Sequence, residues 1–550
     1  MASKLVTRST RQRFSRQEND DESITISIFQ KSETSSTDLN GDFLWFQLFI
    51  EVLLRMKDFD DSKQSLVNVA YQQYDNDEHE KQKIDEFSIS YVASNAVKWY
   101  TRDSFVYRML NKALRQKDMD TLYAFRRIII DIHDQLEDMY ARRVNKKSVI
   151  HLYRGQSMSR EEVEWIKANV GNFLSMNSFL STSINRDAAL MFAEAQEGFQ
   201  GVLFDLQLDE TLVGAKPFAN ITSLSYYPDE EETLFMLGTI FRIAQVTFDI
   251  HTNVWVVSLD LCSDNDSELK PSLDSLKEQI DDETNLYELG RILWKMSQLD
   301  ASERCFKRLI AQNHPNPVII PGCYLHLGNI ANNKGNYEQA IAYHRCGLEL
   351  RQKTLPSNHP HLPYSHNALG EALRKHGDFD EALQQYKNAL ILWQQEYNGD
   401  DHPNIAMCLH NIGTIHAQRD ELQQAMNYFT RALQIMARCL PAIHPMVAST
   451  LRNIGSILGL TGQADQAREA FQKVISIQRQ CLPSTHPDLA GSVRDLGTYH
   501  FYTGNLSEAL NYYQEASTIL HQTLSVHHPL CVQIREDIAE VEACQASLLV

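Results

Sequence analysis

The dipeptide His-Pro recurs through the second half of the chain at a nearly constant spacing. Successive histidines of this dipeptide are 45, 43, 42, 42 and 42 residues apart. A fixed period of this length is typical of stacked supersecondary units, each of which buries its apolar face against its neighbours. This feature limits the second half of the chain to a repeat architecture. The histidines are His314, His359, His402, His444, His486 and His528.

Each period also carries a glycine, an alanine and an aromatic residue at fixed offsets, as in Gly370, Ala382 and Tyr386. The segments "HNALGEALRKHG" and "FDEALQQYKNALILWQQ" indicate two amphipathic helices joined by a tight turn. Small residues suit the positions where helices cross closely, and the aromatic residue lies one turn after the alanine, where it fills the gap between units. Further copies are Gly413, Ala425, Phe429; Gly455, Ala467, Phe471; Gly497, Ala509, Tyr513; and the weaker Gly328, Ala340 and Gly290, Ser302, Phe306.

This pattern resembles the tetratricopeptide repeat family, and the 42-residue period with His-Pro linkers is similar to the kinesin-light-chain variant. We interpret residues 284–530 as six repeats, 531–550 as a C-terminal capping helix and 263–283 as a linker. The resemblance implies an all-α superhelix whose groove binds a protein or peptide. Histidines that lie one unit apart are too distant to share a metal ion, so no metal site is predicted.

The first half of the chain has no such period. Helical patterns fill residues 41–145, and from residue 149 onward five to seven short runs rich in Val, Ile, Phe and Thr alternate with Gly, Asp and Asn. A helical lobe followed by a β-rich lobe predicts an α+β domain over residues 41–262. Residues 1–40 begin with a basic, Ser-rich stretch and are interpreted as a disordered tail.

Charge and cysteine content exclude some classes of function. The net charge of −19 argues against nucleic acid as the main partner, because phosphate binding requires Lys and Arg surfaces. Nine dispersed cysteines, none before Cys262, indicate reduced thiols. The stretch "FLWFQLFIEVLLRM" is too short and too polar to span a membrane, and no signal peptide is recognised. We therefore expect a cytoplasmic protein without a membrane segment.

Three short motifs follow one another in the β-rich lobe. They are "LYRG" with Arg154, "FLSTS" from Phe179 to Ser183, and "EEETLF" with Glu230 and Glu232. Their order, together with the preceding helical lobe, resembles the arginine-specific mono-ADP-ribosyltransferases of the Arg-Ser-Glu class. The resemblance implies a helical lobe plus a split β-sandwich, NAD⁺ as the substrate that donates ADP-ribose, no metal, and a protein arginine as acceptor.

The first two motifs carry the residues expected to bind NAD⁺. A guanidinium at a strand end suits a diphosphate, which makes Arg154 the candidate, although the isolated residue is better explained as a surface ion pair. Gly155 lets the backbone approach a flat ring, and the family implies that its backbone holds the nicotinamide amide. The family also implies that Ser181 orients the catalytic glutamate. Phe179 and Phe192 are candidate walls for the nicotinamide or adenine, although isolated aromatic residues are more often core.

The third motif carries the main catalytic candidate. A carboxylate at the ribose stabilises the positive charge that develops when the nicotinamide bond breaks, and Glu232 is assigned this role. In an extended segment Glu230 points the same way, and the family assigns the first glutamate of this pair to the acceptor arginine; Glu231 is expected to point into solvent. The stretch "NITSLSYYPD" resembles the loop that contacts the acceptor, with Tyr226 or Tyr227 as its aromatic residue.

The sequence leaves three functions open. The first is ADP-ribosylation of arginine on a protein that the repeats recruit. The second is NAD⁺ hydrolysis, in which water replaces the arginine and Glu230 is dispensable. The third is an inactive transferase lobe on a scaffold that acts through its repeats, and the intact pair of Glu230 and Glu232 argues against this reading.

Overall fold

The structure is a computed structural model, and its residues form two compact units, 1–305 and 306–550. The described residues are 26–29, 39–56, 62–142, 149–193, 198–209, 212, 214–228, 231–278, 280, 284–296, 298–312, 318–399, 401–482, 486–521 and 529–548.

The first unit begins with a helical lobe whose elements match the amphipathic patterns of the sequence. The predicted helix "NAVKWYTRDSFVYRMLNKALR" is two helices, because Arg102 leaves the helical conformation and Ser104 is extended. The helices are α1 (Leu39–Leu54), α2 (Ser62–Gln73), α3 (Glu78–Ser90), α4 (Ala96–Thr101), α5 (Phe105–Gln116), α6 (Met119–Ala124) and α7 (Arg126–Ala141).

A nine-stranded sheet follows in the described part of this unit, with the order β1-β3-β8-β9-β5-β2-β4-β7-β6. Strands β2 and β4 share the single described pair Tyr153–Ser183, and this sparse junction divides the sheet into a six-stranded and a three-stranded part. The predicted α+β fold is confirmed. The strands are β1 (Ile26–Phe29), β2 (Val149–Ser159), β3 (Phe173–Met176), β4 (Leu180–Ser183), β5 (Phe199–Asp209), β6 (Phe218–Asn220), β7 (Glu232–Phe235), β8 (Thr239–Asp249) and β9 (Val254–Leu261).

Some strands differ from the sequence prediction. The run "ETLFMLGTIFRI" is two strands, because Gly238 adopts a left-handed φ of 72° between them. Ile26–Phe29 lies in the predicted disordered tail but forms β1, since Ile28 and Phe29 are buried and the strand pairs with β3. Short helices α8 (Arg160–Ala168), α9 (Arg186–Leu190) and α10 (Lys270–Lys277) complete the lobe.

Helix pairs fill the rest of the chain and have nearly equal lengths. In the described residues no helix is both long enough and apolar enough to cross a membrane. The helices are α11 (Leu286–Lys295), α12 (Leu299–Ala311), α13 (Ile319–Asn333), α14 (Tyr337–Thr354), α15 (His361–His376), α16 (Phe379–Glu396), α17 (Pro403–Gln418), α18 (Leu422–Cys439), α19 (Pro445–Leu460), α20 (Ala464–Cys481), α21 (Pro487–Tyr502), α22 (Leu506–His521) and α23 (Pro529–Leu548).

The repeated glycine makes room for the repeated aromatic ring of its own helix pair. A Cβ on Gly370 would lie 2.9 Å from the ring of Tyr386, and one on Gly413 would lie 3.0 Å from that of Phe429. The prediction that the helices cross closely at this glycine is therefore confirmed. The ring of Tyr386 fills the notch at Gly370 in its own pair and belongs to the same apolar cluster as Ile412 and Ile415 of the next pair.

The His-Pro dipeptides begin helices. The Nδ1 atoms of His402, His444 and His486 each accept a hydrogen bond from the backbone N–H two residues later, at 3.1 Å. The proline that follows occupies the first helical turn, where a missing N–H costs nothing. These histidines are N-caps, which explains the dipeptide without a metal. His314 and His528 lie outside the described residues.

His344 occupies the aromatic position of its repeat, four residues after Ala340, and it makes that repeat sensitive to acid. The side chain is 2% exposed, and neither ring nitrogen has a hydrogen-bond partner in the described structure. Burial, with a smaller contribution from Arg351, lowers the pKa of His344 from 6.5 to about 4. As the pH falls, His344 is protonated in the unfolded chain before it is protonated in the folded one. We therefore expect the free energy of unfolding to decrease by roughly 3 kcal/mol in total as the pH falls from about 6.5 to about 4.

Replacing His344 by Phe, the residue that three other repeats carry here, should remove this dependence. We expect His344→Phe to raise the stability of the second unit by about 1 kcal/mol at pH 7, since it removes an unpaired buried polar ring, and by more at pH 5. Urea unfolding at both pH values measures the effect. His521→Phe, at an exposed helix end, is the control. An equal urea midpoint for wild type and His344→Phe at pH 5 would contradict the prediction.

Candidate active site

Three neighbouring strands bring the predicted motif residues together. Arg154 lies on β2, and its Nη1 donates a hydrogen bond of 3.2 Å to the carbonyl oxygen of Ser181 on β4. Strand β4 pairs with β7, with Ser183 opposite Glu232. Since opposed residues of antiparallel strands share a face, and alternate residues do too, Ser181 and Glu232 lie on the same face of β4 and β7. Residues of three separate motifs thus lie on the three adjacent strands β2, β4 and β7, and Arg154 is joined to β4 by its hydrogen bond to Ser181.

Glu232 is 8% exposed and is the first residue of β7, and a strained residue precedes it. Glu231 has a φ of 46°, in the left-handed region that residues with a side chain rarely adopt. Glu231 is exposed, as predicted, but the segment is not extended there. Simple alternation therefore does not apply at Glu231, and the direction of Glu230 stays a prediction. Glu230 itself lies outside the described residues.

Tyr100 of α4 is a site residue that sequence reasoning missed. Its ring lies 4.9 Å from that of Phe179, and both side chains are buried. Burial is the main cause that raises the pKa of Tyr100. The charge of Glu232 makes a smaller contribution that raises this pKa, and the charge of Arg154 makes one that lowers it. The tyrosine hydroxyl is therefore within electrostatic reach of both charged candidates. In the sequence this tyrosine stands in "VKWYT", a short helical segment whose aromatic residues suggest packing in the core and give no sign of a site.

Gly155 faces protein backbone. A Cβ on Gly155 would overlap the carbonyl oxygen of Ala189 and approach the backbone N of Ala193 to 2.9 Å. The turn that contains both residues also carries Phe192, whose N–H donates to the carbonyl of Ala189 at 3.0 Å. The missing side chain of Gly155 makes room for this turn. The contact of its backbone groups with the nicotinamide amide stays a prediction.

Several polar atoms near Arg154 are buried without a partner in the described structure. They are Nε of Arg154, both amide atoms of Gln156, and Oγ of Ser178. Gln156 is 5% exposed and lies two residues after Arg154, on the same face of β2. An unpaired buried amide costs about 1–3 kcal/mol, so such a group calls for a partner, and a ligand is one that can supply it. Sequence reasoning missed Gln156 because a single glutamine in a strand carries no pattern.

Tyr227 lies in the 221–228 loop, which follows β6. Its ring is edge-on to that of Tyr226, with centroids 5.1 Å apart, and its backbone N–H donates to the hydroxyl of Ser225 at 3.1 Å. Tyr226 is the more exposed of the two and packs on the helical lobe. The loop is therefore ordered by its own contacts and by the helices.

Two kinds of family model match the chain. An ADP-ribosyltransferase exoenzyme model matches residues 68–263. Residues 68–263 form an ADP-ribosyltransferase exoenzyme domain. Tetratricopeptide repeat models match residues 287–345, 322–390, 364–438 and 446–522, so the predicted repeat array is confirmed as well.

Several solved structures resemble part of the chain. BtubC (BKLC) from P. vanneervenii is 20% identical, and the match covers 40% of this chain and 88% of that one, with a TM-score of 0.34. A candidate kinesin light chain from Podosopora anserina, with nearly identical TPR-like repeats, is 22% identical over 38% of this chain and 98% of that one, with a TM-score of 0.32.

The described residues of the ADP-ribosyltransferase domain contain no group of three His, Cys, Asp or Glu side chains placed to hold a metal ion. The cysteines of the whole chain are free thiols. The polar groups at the candidate site are a guanidinium, hydroxyls, an amide and a carboxylate, a set that suits an organic phosphate and a sugar.

Proposed function

We propose that the domain transfers a single ADP-ribose unit from NAD⁺ to arginine side chains of proteins. The observation that carries the proposal is the convergence of Arg154, Ser181 and the buried Glu232 on adjacent strands β2, β4 and β7. A buried carboxylate beside a guanidinium suits a substrate that combines a diphosphate with a ribose that becomes cationic.

The residues present fit NAD⁺. Arg154 donates one N–H to the carbonyl of Ser181, and its buried Nε has no partner in the described structure. N–H groups of the guanidinium therefore remain available to donate to a diphosphate oxygen. The aromatic pair of Tyr100 and Phe179 closes one side of the site against water. NAD⁺ supplies the labile bond between C1 of the ribose and the nicotinamide nitrogen.

In the proposed reaction this bond breaks, and nicotinamide leaves with the bonding electron pair. Glu232 stabilises the positive charge that develops on the ribose. A guanidinium nitrogen of the acceptor forms the new bond to C1 and gives up one proton, which Glu230 is proposed to accept. Ser181 is proposed to orient Glu232, and Gly155 and Phe192 to line the nicotinamide side through the α9 turn.

Replacing Glu230 separates transfer from hydrolysis. We expect Glu230→Gln to lower transfer to a small guanidino acceptor at least about 100-fold, because the general base is lost, while NAD⁺ hydrolysis stays within about threefold of wild type. Labelled NAD⁺ with and without the acceptor measures both reactions. Wild-type hydrolysis without transfer would instead support a glycohydrolase, and no turnover of NAD⁺ would support the scaffold.

Gln156 is proposed to donate to and accept from a polar group of NAD⁺ beside Arg154. Gln156→Met keeps the length of the side chain and removes the unpaired amide. We therefore expect a free energy of unfolding about 1 kcal/mol higher and a KM for NAD⁺ about tenfold higher. Urea unfolding and initial rates at varied NAD⁺ measure the two effects.

Gln47 supplies the matched control for Gln156. It is also 5% exposed, but its Nε2 donates to Oγ of Ser175 at 2.8 Å and to the carbonyl of Gly238 at 2.9 Å. Gln47→Met should lower stability, since it leaves bonded partners unpaired. A higher free energy of unfolding for Gln156→Met together with a lower one for Gln47→Met supports a ligand role for Gln156. Equal losses of stability in the two variants would contradict it.

The tetratricopeptide array is proposed to recruit the protein that is modified or a partner of it, since arrays of this kind bind peptides along their groove. We propose the cytoplasm as the site of action, because free thiols persist in a reducing compartment.

A further inference from the structure

The 221–228 loop is fastened at its base to the proposed catalytic residue. The backbone N–H of Ile221 donates to the carbonyl oxygen of Glu232 at 2.9 Å. The carbonyl oxygen of Ile221 in turn accepts from the N–H groups of Leu224 and Ser225, at 2.8 and 2.7 Å. The loop and the start of β7 therefore form one hydrogen-bonded framework.

The middle of the loop is held by the helical lobe. The backbone N–H of Tyr226 donates to Oγ1 of Thr101, the last residue of α4, at 2.8 Å. Thr101 is 2% exposed, and its own hydroxyl donates to the carbonyl of Val97 at 3.0 Å. The hydroxyl oxygen is thus fixed in direction, with its acceptor side toward the loop.

A second contact joins the same two elements. The guanidinium of Arg102 lies 4.9 Å from the ring centroid of Trp99 and 5.5 Å from that of Tyr226. Two hydrogen bonds to Glu86, at 2.7 and 2.9 Å, fix the plane of this guanidinium. A cation between two rings is attracted to both of them, so Arg102 ties the side chain of Tyr226 to the lobe.

We propose that Thr101 and Arg102 are positioning residues for the acceptor guanidinium. They hold the 221–228 loop against the helical lobe and so set where the acceptor meets the ribose, while NAD⁺ is held by residues of β2 and β4. The proposal rests on the proposed function. Tyr226 remains 42% exposed, which leaves part of its ring free for a protein substrate.

The test compares Thr101→Val and Arg102→Met with wild type in the full chain. Thr101→Val removes the acceptor of the Tyr226 N–H, and Arg102→Met removes the cation beside Tyr226 together with its ion pair with Glu86. Both variants keep the approximate size of the side chain. We expect the KM for a small guanidino acceptor to rise about tenfold in each variant, while hydrolysis of NAD⁺ without acceptor stays within about twofold. Arg102→Lys should recover part of the loss. Arg142→Met, which removes a surface ion pair with Asp138 in the same lobe, should leave both reactions unchanged.

Amide hydrogen exchange of the peptide that covers residues 221–228 measures how firmly the loop is held, and this measurement does not depend on catalytic activity. We expect faster exchange in both variants. Equal exchange in wild type and variants, or an equal loss of transfer and hydrolysis, overturns the inference. If the variants exchange faster but the wild-type protein hydrolyses NAD⁺ without transferring ADP-ribose, the loop contact is supported and the proposed arginine acceptor is rejected.

Discussion

Replacing Glu232 by Gln should lower both transfer and NAD⁺ hydrolysis by at least about 100-fold, the largest catalytic effect expected for this chain. The amide keeps the shape of the side chain but carries no charge, so the ribose loses its stabilising partner as the nicotinamide bond breaks. Because Glu232 is buried in the first position of β7, no neighbouring carboxylate in the described structure replaces it there. Turnover of labelled NAD⁺, with and without an acceptor, measures the loss.

Glu231 is the matched control for Glu232. It is the adjacent residue, it is exposed, and Glu231→Gln removes the same charge outside the site. Activity close to wild type for Glu231→Gln, with unchanged thermal unfolding for both variants, assigns the effect to the position of the carboxylate. Retention of more than about a tenth of the activity by Glu232→Gln would reject the proposed mechanism.

Gly155→Ala should cause the largest loss of stability, about 3 kcal/mol or more. The added methyl group would overlap the carbonyl oxygen of Ala189, and a backbone atom held in a packed turn cannot move aside as a flexible side chain can. The free energy of urea unfolding, followed by tryptophan fluorescence, measures the change. Activity should fall together with the folded fraction.

Gly459→Ala is the control for this substitution. A Cβ on Gly459 meets its nearest neighbour, the Cβ of Ala467, at 4.0 Å, and Ala favours the helix in which Gly459 lies. We expect Gly459→Ala to be neutral or stabilising. A folded Gly155→Ala protein of wild-type stability with a higher KM for NAD⁺ would restore the interpretation in which this glycine faces the ligand.

The repeat array was the part most open to prediction from sequence. Its contacts are local: each ring, such as Tyr386, packs on a glycine 16 residues earlier in the same helix pair. A pattern that recurs in every period therefore reports its own packing.

The sequence predicted residues of the candidate site only where they belong to a motif that indicates a particular chemistry. Arg154, Ser181 and Glu232 belong to short motifs, and the adjacent strands β2, β4 and β7 carry them. Tyr100 comes from a helix with no chemical pattern. Strand β1 was missed because four residues are too few to show alternation.

The sequence alone determined the two-part organisation, the repeat period and the identity of the charged candidates, because each is encoded by residues close together in the chain. The tertiary structure decided what surrounds them. It showed that Gly155 makes room for a turn, that Glu231 breaks the strand before Glu232, and that Thr101 holds a loop 125 residues away. Such contacts depend on packing between distant segments, and no local pattern of residue types specifies which atoms then lack a partner.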